Sequence, residues 1–587
     1  MKKIYSILFV AIALLSATSC LKDLDTLPLN LTDPISETAY ADENSYLMGL
    51  AYVNAYWVFV SQTDPGSADI SAPDAGQSEL IRQFLNLQEM STDSFKCTWG
   101  DSYVADLCAD TWTPTNTAVT IVYTRLLKGI ALANEFLLQT EDDRLDARGH
   151  GALKEAVHGY RAEARFHRAM FFWALMDLYG NPPFPMPENI GGDMPAQKTR
   201  AELFEWLETE LTDLLAEDSD MPKKGEVSYP RPTQGSVAAL LARMYLNAQV
   251  YTGTARWQDA KDMAAKVIGM GYKLHPDYAK LFMQDNTTNG AAADEFIFGI
   301  DYDKDHSQSW GGTTTLASAF FDKSRAIVAY LLGYDYGSVI VPEEWNGYHV
   351  SNEYVSYFNL KNVTWNDPDA GYTHNNPDLD DFNGDGTKDE KDDAAREKQA
   401  KDLPNYTFGY DRAASDKRAF FFNEGIPTFD NSKTESGWRC WKFSGLYSDG
   451  HLNDQSFSSM DFPLIRLAEM YLIYAEADAR LNGGKVTSSE AKGYIKALRD
   501  RAGVPMPADD ELTLDWLLAE RARELMLEGH RRTDLIRYGY FTSASFPWPY
   551  KGGVQDGHVS LPEYRTLYPI IEADLNANTN LVQNKGY

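Results

Sequence analysis

The chain has 587 residues and is strongly acidic, with 54 Lys and Arg residues against 85 Asp and Glu residues and a formal net charge of −31. A chain of this charge repels nucleic acids and acidic membrane surfaces unless its basic residues are clustered, and it contains no long basic run. A polyanion binder is therefore excluded as the default class. The hydrophobic content of 44% is typical of a globular chain, and the aromatic content of 13% favours an aromatic platform for a ligand.

The N-terminus has the features of an export signal. Lys2 and Lys3 precede an apolar run over residues 4–15 and a small-residue stretch that ends at Cys20. This run is too short to span a bilayer, and its ending on a cysteine resembles a lipoprotein signal. We expect a signal peptide over residues 1–19 and a mature chain that is lipid-anchored at Cys20 without spanning the membrane. The alternative is an ordinary secretory signal with an incidental cysteine.

Three further cysteines, Cys97, Cys108 and Cys440, form an odd set that cannot all pair within one chain. Cys97 and Cys108 either bridge in an oxidising compartment or stay as two buried thiols. The sequence leaves both alternatives open.

Helical periodicity dominates the first half of the chain. Apolar residues recur at steps of three and four over residues 160–178, and Gly180 begins a breaker cluster. Thr199 and Glu202 have capping-box spacing at the start of a helix over residues 199–215. Helices over residues 235–251 and 257–268 form a predicted hairpin, whose small residues permit close approach as in tetratricopeptide repeats; these are Ala239, Ala242, Ala260 and Ala264.

A second helical block lies near the end of the chain, with an apolar stripe from Leu464 to Ala479 and helices predicted over residues 489–501 and 514–528. Between them, residues 286–461 are rich in Gly, Asn, Asp and aromatic residues, and the run at 296–298 is typical of a strand. We therefore predict one mainly α domain over residues 20–587. Its helical scaffold comprises about residues 40–285 and 462–540, and residues 286–461 form a loop-rich, partly β insertion that we expect to carry a ligand site.

Four segments together resemble the SusD/RagB family of surface glycan-binding lipoproteins, and they lie at residues 161–169, 461–472, 520–539 and 568–570. The acidic residues that follow Cys20 resemble those of exported surface lipoproteins in glycan-foraging Gram-negative bacteria. The resemblance extends from Cys20 to Tyr587 and implies the SusD-like fold. It also implies an outer-membrane, cell-surface location and a SusC-like TonB-dependent transporter as partner.

The same resemblance implies a non-catalytic protein that captures oligosaccharides, with α-glucans of the starch type as the expected ligand. A SusD-like binder of another polysaccharide is one alternative. A glycoside hydrolase with aromatic subsites is another, although no motif singles out a catalytic carboxylate pair among the 85 acidic residues. A peptide-binding repeat scaffold is disfavoured by the export signal and the interrupted repeats.

The resemblance to starch-binding members of the family also suggests site residues. Arg82 and Trp99 have the spacing of a binding arginine and tryptophan, and Ser102 replaces an expected asparagine. Trp310, followed by two glycines, resembles a second stacking ring. Tyr334 or Tyr336 is the candidate for a third ring. Aromatic rings stack on the apolar face of a sugar while polar groups bond its hydroxyl rim, so this set of residues suits a neutral oligosaccharide. Trp173, by contrast, lies within a predicted scaffold helix and is assigned to the core.

A charged cluster near the C-terminus has two interpretations. Glu524 and Glu528 are predicted to lie one helical turn apart, with five charged neighbours and His530 close by in sequence. A catalytic acid pair would require a raised pKa, whereas carboxylates on an arginine-rich face gain ion-pair partners. We therefore expect a structural ion-pair network.

One acidic loop matches a calcium-binding pattern. Its oxygen ligands at positions 1, 3, 5, 7, 9 and 12 are Asp381, Asn383, Asp385, Thr387, Asp389 and Asp392, and Gly386 permits the sharp turn. Asp392 stands where such loops usually have a bidentate glutamate. We expect a structural Ca²⁺ site, and the alternative is an acidic turn without an ion.

Overall fold

The computed structural model describes residues 39–320, 345–360 and 416–587, apart from nine single positions (62, 191, 359, 424, 425, 427, 435, 452 and 454), together with two short strands between the last two ranges. The α-helices are α1 Glu43–Ala55, α2 Leu80–Leu85, α3 Ser102–Cys108, α4 Thr117–Gln139, α5 Asp142–Ala147, α6 Lys154–Tyr179, α7 Arg200–Leu214, α8 Gln234–Leu246, α9 Ala248–Thr252, α10 Trp257–Ile268, α11 Ala291–Glu295, α12 Gly312–Ser318, α13 Asn352–Val355, α14 Leu467–Leu481, α15 Ser489–Ala502, α16 Leu514–Glu524, α17 Arg531–Arg537 and α18 Glu572–Ala577.

In the described part of the chain, eight short strands form two antiparallel sheets. The strands are β1 Phe95–Cys97, β2 Phe296–Ile300, β3 Tyr348–Val350, β4 Val363–Thr364, β5 Thr407–Phe408, β6 Phe421–Asn423, β7 Trp438–Cys440 and β8 Phe462–Arg466. Six of them have the order β1-β3-β7-β6-β5-β4, and β2 pairs with β8. With 48% helix and 6% strand, the protein has the mainly α fold that the sequence predicts.

The ends of the scaffold helices follow from local sequence. Gly180 ends α6 with a φ of 72°, a backbone conformation that glycine adopts without a side-chain clash. The Thr199 side chain accepts a hydrogen bond from the backbone of Glu202, and the Glu202 side chain bonds back to the Thr199 amide. This capping box starts α7 as the spacing predicts. Trp173 is 3% exposed inside α6, which confirms its core assignment.

The predicted hairpin of small residues forms the centre of the scaffold. Helix α10 packs against both α8 and α14, so the two helical blocks that are separated in the sequence share one core. The four alanines of the hairpin, Ala239, Ala242, Ala260 and Ala264, are fully buried. Their small side chains allow the helix axes to approach closely, and the predicted hairpin is confirmed. Its first helix, predicted over residues 235–251, is divided at Asn247 into α8 and α9.

Two predicted helices are shorter in the structure. Leu464 lies in β8, where Ile465 pairs with Phe298 of β2, so α14 begins only at Leu467. Helix α16 ends at Glu524, and Leu527 has a φ of 58°. Glu528 therefore lies beyond the helix, and the predicted one-turn spacing of Glu524 and Glu528 is wrong. In both places, tertiary contacts override the apolar and charged periodicity of the sequence.

The predicted ion-pair network is confirmed. Arg466, whose side chain is 1% exposed, contacts carboxylate oxygens of Glu295 at 2.8 Å, Glu524 at 2.7 Å and Glu528 at 2.7 Å. Burial alone would raise the pKa of Glu524, but Arg501, Arg466 and Arg418 hold it well below its usual range. This carboxyl therefore does not have the raised pKa that a general acid needs.

His530 does not join Glu524 and Glu528. Its ring nitrogen lies 4.0 Å from a carboxylate oxygen of Glu469 instead. Burial, followed by nearby arginines, lowers the pKa of His530 well below its ordinary value. The imidazole is therefore neutral at pH 7.

Acid should destabilise this fold steeply below about pH 4.5. Burial would raise the pKa of Glu476 and Glu520, but neighbouring arginines lower both to about 2. Because the folded-state pKa lies below the unfolded one, the two groups stabilise the fold above the unfolded pKa and lose that contribution as the pH falls toward 2. Urea unfolding measured from pH 4.5 to pH 3 should show a loss of the order of a few kcal/mol, because the buried Glu79 and Glu89, whose pKa burial raises to about 7, act in the opposite direction mainly above pH 4.5. A free energy of unfolding that stays constant between pH 4.5 and pH 3 would contradict this assignment.

The three described cysteines are buried free thiols. The Cys108 thiol lies 3.8 Å from the carbonyl oxygen of Cys97, to which it donates, and the Cys97 amide donates to its sulfur at 3.4 Å. Cys97 and Cys108 are therefore two buried thiols and not a disulfide bridge. Within the described part of the chain, no helix combines the length and apolar character needed to cross a membrane.

Candidate glycan-binding pocket

A cavity of about 540 Å³ opens where the N-terminal part of the scaffold meets the insertion. Its lining comprises three tryptophans, one arginine, two aspartates and a short turn, namely Trp99, Trp310, Trp345, Arg82, Asp74, Asp101, Gly66, Ala75, Gly76 and Gln77. A pocket of this size with aromatic walls and a few polar groups is typical of a small-ligand site. Most of the lining lies between residues 66 and 101, and the insertion supplies Trp310 and Trp345.

Arg82 contacts all three tryptophans of this pocket. The carbon of its guanidinium group is 5.4 Å from the ring centre of Trp99 and 5.7 Å from that of Trp345. Its Nη1 atom is 3.5 Å from the Trp310 carbonyl oxygen and 3.9 Å from a carboxylate oxygen of Asp74. These contacts, with only 5% of the residue exposed, hold the cation between the rings.

Sheet pairing brings Trp99 and Trp345 together. Cys97 of β1 pairs with Tyr348 of β3, so the residues that follow β1 lie beside those that precede β3. The indole Nε1 of Trp99 donates to the Asn346 carbonyl oxygen at 2.8 Å. A Cβ on Gly347 would lie 2.1 Å from that nitrogen, so only glycine leaves room for the Trp99 ring.

The third ring, Trp310, stands at an angle to Trp345. Their ring centres are 6.1 Å apart, and the ring planes are inclined by 46°. Phe457 supports Trp310 from another side at 4.5 Å. Below it, a Cβ on Gly76 would lie 2.5 Å from the Trp310 carbonyl oxygen, so the turn at 75–77 also requires a glycine. The rings therefore form an inclined set rather than a flat surface.

Arg125 of α4 fixes the turn that carries Asp74 and Gln77. This fully buried arginine donates to the carbonyl oxygens of Val60 and Ser78 and forms a 2.7 Å ion pair with Asp69. Within the turn, Asp74 accepts hydrogen bonds from the amide and the side chain of Gln77 at 2.9 and 2.6 Å. An irregular segment is thereby held in one conformation.

Two polar atoms of the lining have no hydrogen-bond partner among the described residues. They are Oε1 of Gln77, an acceptor, and Nε of Arg82, a donor. Both residues are 5% exposed. Buried polar groups are rarely left unpaired in folded proteins without a reason such as a binding role. Together with the carboxylates of Asp74 and Asp101, they give the pocket both donors and acceptors beside its rings.

The structure brings together three of the residues suggested from sequence, Arg82, Trp99 and Trp310. Ser102 begins α3 with an exposed side chain, and its neighbour Asp101 lines the pocket in its place. Tyr334, Tyr336, Cys20 and the six predicted calcium ligands lie outside the described residues. Within the described ranges, no group of three or more His, Cys, Asp or Glu side chains is placed to hold a metal ion.

Sequence reasoning missed Trp345, Asp74, Gln77 and Asp101. Trp345 lies in the irregular region, where several tryptophans are equivalent by sequence, yet Trp438 and Trp441 are buried at 5% and 4% exposure. Only the pairing of β1 with β3 distinguishes Trp345 from them. For Asp74 and Gln77, the available signal is the turn glycine Gly76, which lies shortly before Arg82 in the sequence.

Comparisons with known proteins agree with this architecture. The sequence profile described as the SusD family matches residues 294–587, and a second profile, described as starch-binding and associating with the outer membrane, matches residues 68–246. The chain is also 31% identical over its whole length to a curated member of the family. It therefore belongs to the SusD family.

That curated relative is the starch-binding protein SusD of Bacteroides thetaiotaomicron, of which the alignment covers 99%. Among solved structures, a SusD superfamily protein from Parabacteroides distasonis superposes with a TM-score of 0.63 at 18% identity, covering 93% of this chain and 99% of the other. A laminarin-binding SusD-like protein superposes with a TM-score of 0.62 at 20% identity, covering 93% and 100%. At these identities, the two superpositions establish the fold alone.

Proposed function

We propose that this protein is a non-catalytic, cell-surface glycan-binding lipoprotein that captures oligosaccharides of the α-glucan type. The observation that carries the proposal is the pocket that Trp99, Trp310 and Trp345 line together with Arg82. Its chemistry matches that of a pyranose. The apolar C–H face of a sugar stacks on an indole ring, and the hydroxyl rim bonds to charged and amide groups.

The inclination of the rings favours a curved ligand over a flat one. Rings inclined by 46° contact successive sugars only if the sugars turn relative to one another. An α-glucan turns in this way because its chain follows a helix. The relative that is 31% identical over the full length is named a starch-binding protein, which supports the same choice.

The proposal includes an anchor and a partner. A lipid chain on Cys20 would hold the protein on the outer membrane, and the bound oligosaccharide would pass to a SusC-like TonB-dependent transporter. The profile that associates residues 68–246 with the outer membrane supports the location. The structural calcium loop at residues 381–392 stays a prediction.

The test is a calorimetric titration of the mature chain with maltoheptaose, with a laminarin oligosaccharide and with a cellulose oligosaccharide of equal length, followed by an assay for new reducing ends. We expect saturable binding that is strongest for maltoheptaose, and no hydrolysis. New reducing ends would refute the non-catalytic assignment. Preference for either β-glucan would refute the α-glucan assignment, and binding of none of the three would refute glycan capture through this pocket.

A further inference from the structure

A single buried carboxylate joins the two elements that carry the pocket. Glu79 is 0% exposed and precedes α2, the helix that contains Arg82. The loop that carries Trp310 lies against it from the other side. Glu79 itself does not belong to the lining of the pocket.

Both oxygens of Glu79 are used. Oε2 accepts hydrogen bonds from the Arg82 amide at 2.6 Å and from the Gly312 amide at 3.0 Å. Oε1 accepts a hydrogen bond from the Tyr302 hydroxyl at 2.5 Å. One oxygen therefore bridges the first turn of α2 and the first residue of α12, which follows Trp310 by two positions.

The two glycines after Trp310 leave the space that Glu79 and its partner Tyr302 occupy. A Cβ on Gly311 would lie 2.4 Å from the Cβ of Glu79, and a Cβ on Gly312 would lie 1.9 Å from the Tyr302 hydroxyl. Gly312 also has a φ of 44°, which favours glycine. The loop can therefore approach Glu79 only because both positions lack a side chain.

From this arrangement we infer that Glu79 is a positioning residue, which sets the Trp310 loop at its distance from Arg82 and so determines the spacing of the sugar-binding groups. The expected effect of Glu79 on oligosaccharide affinity rests on the proposed function, whereas its expected effect on the position of the Trp310 loop does not. A carboxyl group suits this role because its two oxygens accept hydrogen bonds from several donors at once.

Glu89 provides a matched control. It is 1% exposed, and its Oε1 accepts backbone hydrogen bonds from Gly529 at 2.9 Å and His530 at 3.1 Å. Burial raises the pKa of both Glu79 and Glu89 to about 7. Glu89 holds the start of α17 and does not line the pocket. Its loss should therefore cost stability without moving Trp310.

The experiment compares Glu79→Ala, Glu79→Gln and Glu89→Ala at pH 8, where the carboxylates are largely ionised. Each chain carries fluorotryptophan, and the ¹⁹F signal of Trp310 is identified by its absence in Trp310→Phe. We expect Glu79→Ala to shift or broaden this signal in the unliganded protein and to raise the Kd for maltoheptaose by about tenfold. Glu89→Ala should leave both unchanged.

Glu79→Gln should restore both readouts, because its amide oxygen can accept from Arg82 and Gly312 while its amide nitrogen donates to the Tyr302 hydroxyl oxygen. An unchanged Trp310 signal in Glu79→Ala would overturn the inference, as would an equal change in Glu89→Ala. If Glu79→Ala does not fold, Gly311→Ala tests the same contact from the loop side with the same expected shift. If the wild-type chain binds none of the oligosaccharides, the proposed function fails, while the Trp310 signal still decides the role of Glu79.

Discussion

Replacement of Trp99 by alanine is expected to raise the Kd for maltoheptaose at least about tenfold, and replacement of Trp310 to do the same. Each change removes one stacking face, and loss of Trp99 also uncovers Arg82, whose guanidinium carbon lies 5.4 Å from its ring centre. The measurement is a calorimetric titration of each variant beside the wild-type chain.

Trp257 offers the matched control for this prediction. It is also half-buried and also contacts an arginine, with Arg480 4.6 Å from its ring centre, but it lies on α10 and does not line the pocket. Trp257→Ala should therefore leave the Kd unchanged. If both Trp99→Ala and Trp310→Ala bind maltoheptaose with wild-type affinity, the pocket is not the binding site. Equal losses of affinity in Trp99→Ala, Trp310→Ala and Trp257→Ala would indicate general destabilisation.

Replacement of Arg466 by methionine is expected to destabilise the fold by about 3–5 kcal/mol. Arg466 contacts the buried carboxylates of Glu295, Glu524 and Glu528 at once, and Met retains much of its volume without its charge. Its removal takes away the one cation that contacts all three buried carboxylates and leaves Arg418, Arg501 and Lys442 to balance them, so buried negative charge is less well compensated. Urea unfolding at pH 7 would measure the change in the free energy of unfolding.

An exposed pair supplies the comparison for this second prediction. Lys496 and Asp500 form an ion pair on α15 with 61% and 60% of their side chains exposed. Because solvent screens such a pair, Lys496→Met should change the unfolding curve little. If Arg466→Met unfolds at the same urea concentration as Lys496→Met, the network around Arg466 contributes no net stability.

Much of the helical scaffold was predictable because its signals are local. Thr199 and Glu202 cap α7 through contacts three residues apart, and Gly180 ends α6 through its own backbone conformation. Ala239 and Ala260 are small because neighbouring helices touch there, and spacing alone reveals that pattern. The corrections occur where distant segments meet. Leu464 was assigned to a helix but lies in β8, which pairs with a strand more than 160 residues earlier.

The residues of the candidate pocket also fall into those that the sequence predicts and those that it does not. Arg82, Trp99 and Trp310 were identified from their residue types and their resemblance to a family pattern. Trp345 could not be chosen among the tryptophans of the insertion, because its place beside Trp99 depends on the register of β1 with β3. Gln77 and Asp74 join the pocket because Arg125, on a distant helix, holds their turn.

By itself, the sequence determined the helical class and the family and predicted the chemical character of the candidate site, because caps, breakers, apolar period and residue type act over a few positions of the chain. Only the tertiary structure decided which rings share one pocket and how Glu79 joins them. It also decided that Glu524 and Glu528 are held by Arg466 rather than by a common helix. These features depend on strand register, burial and ion pairing between residues far apart in the sequence, and local sequence does not encode those contacts.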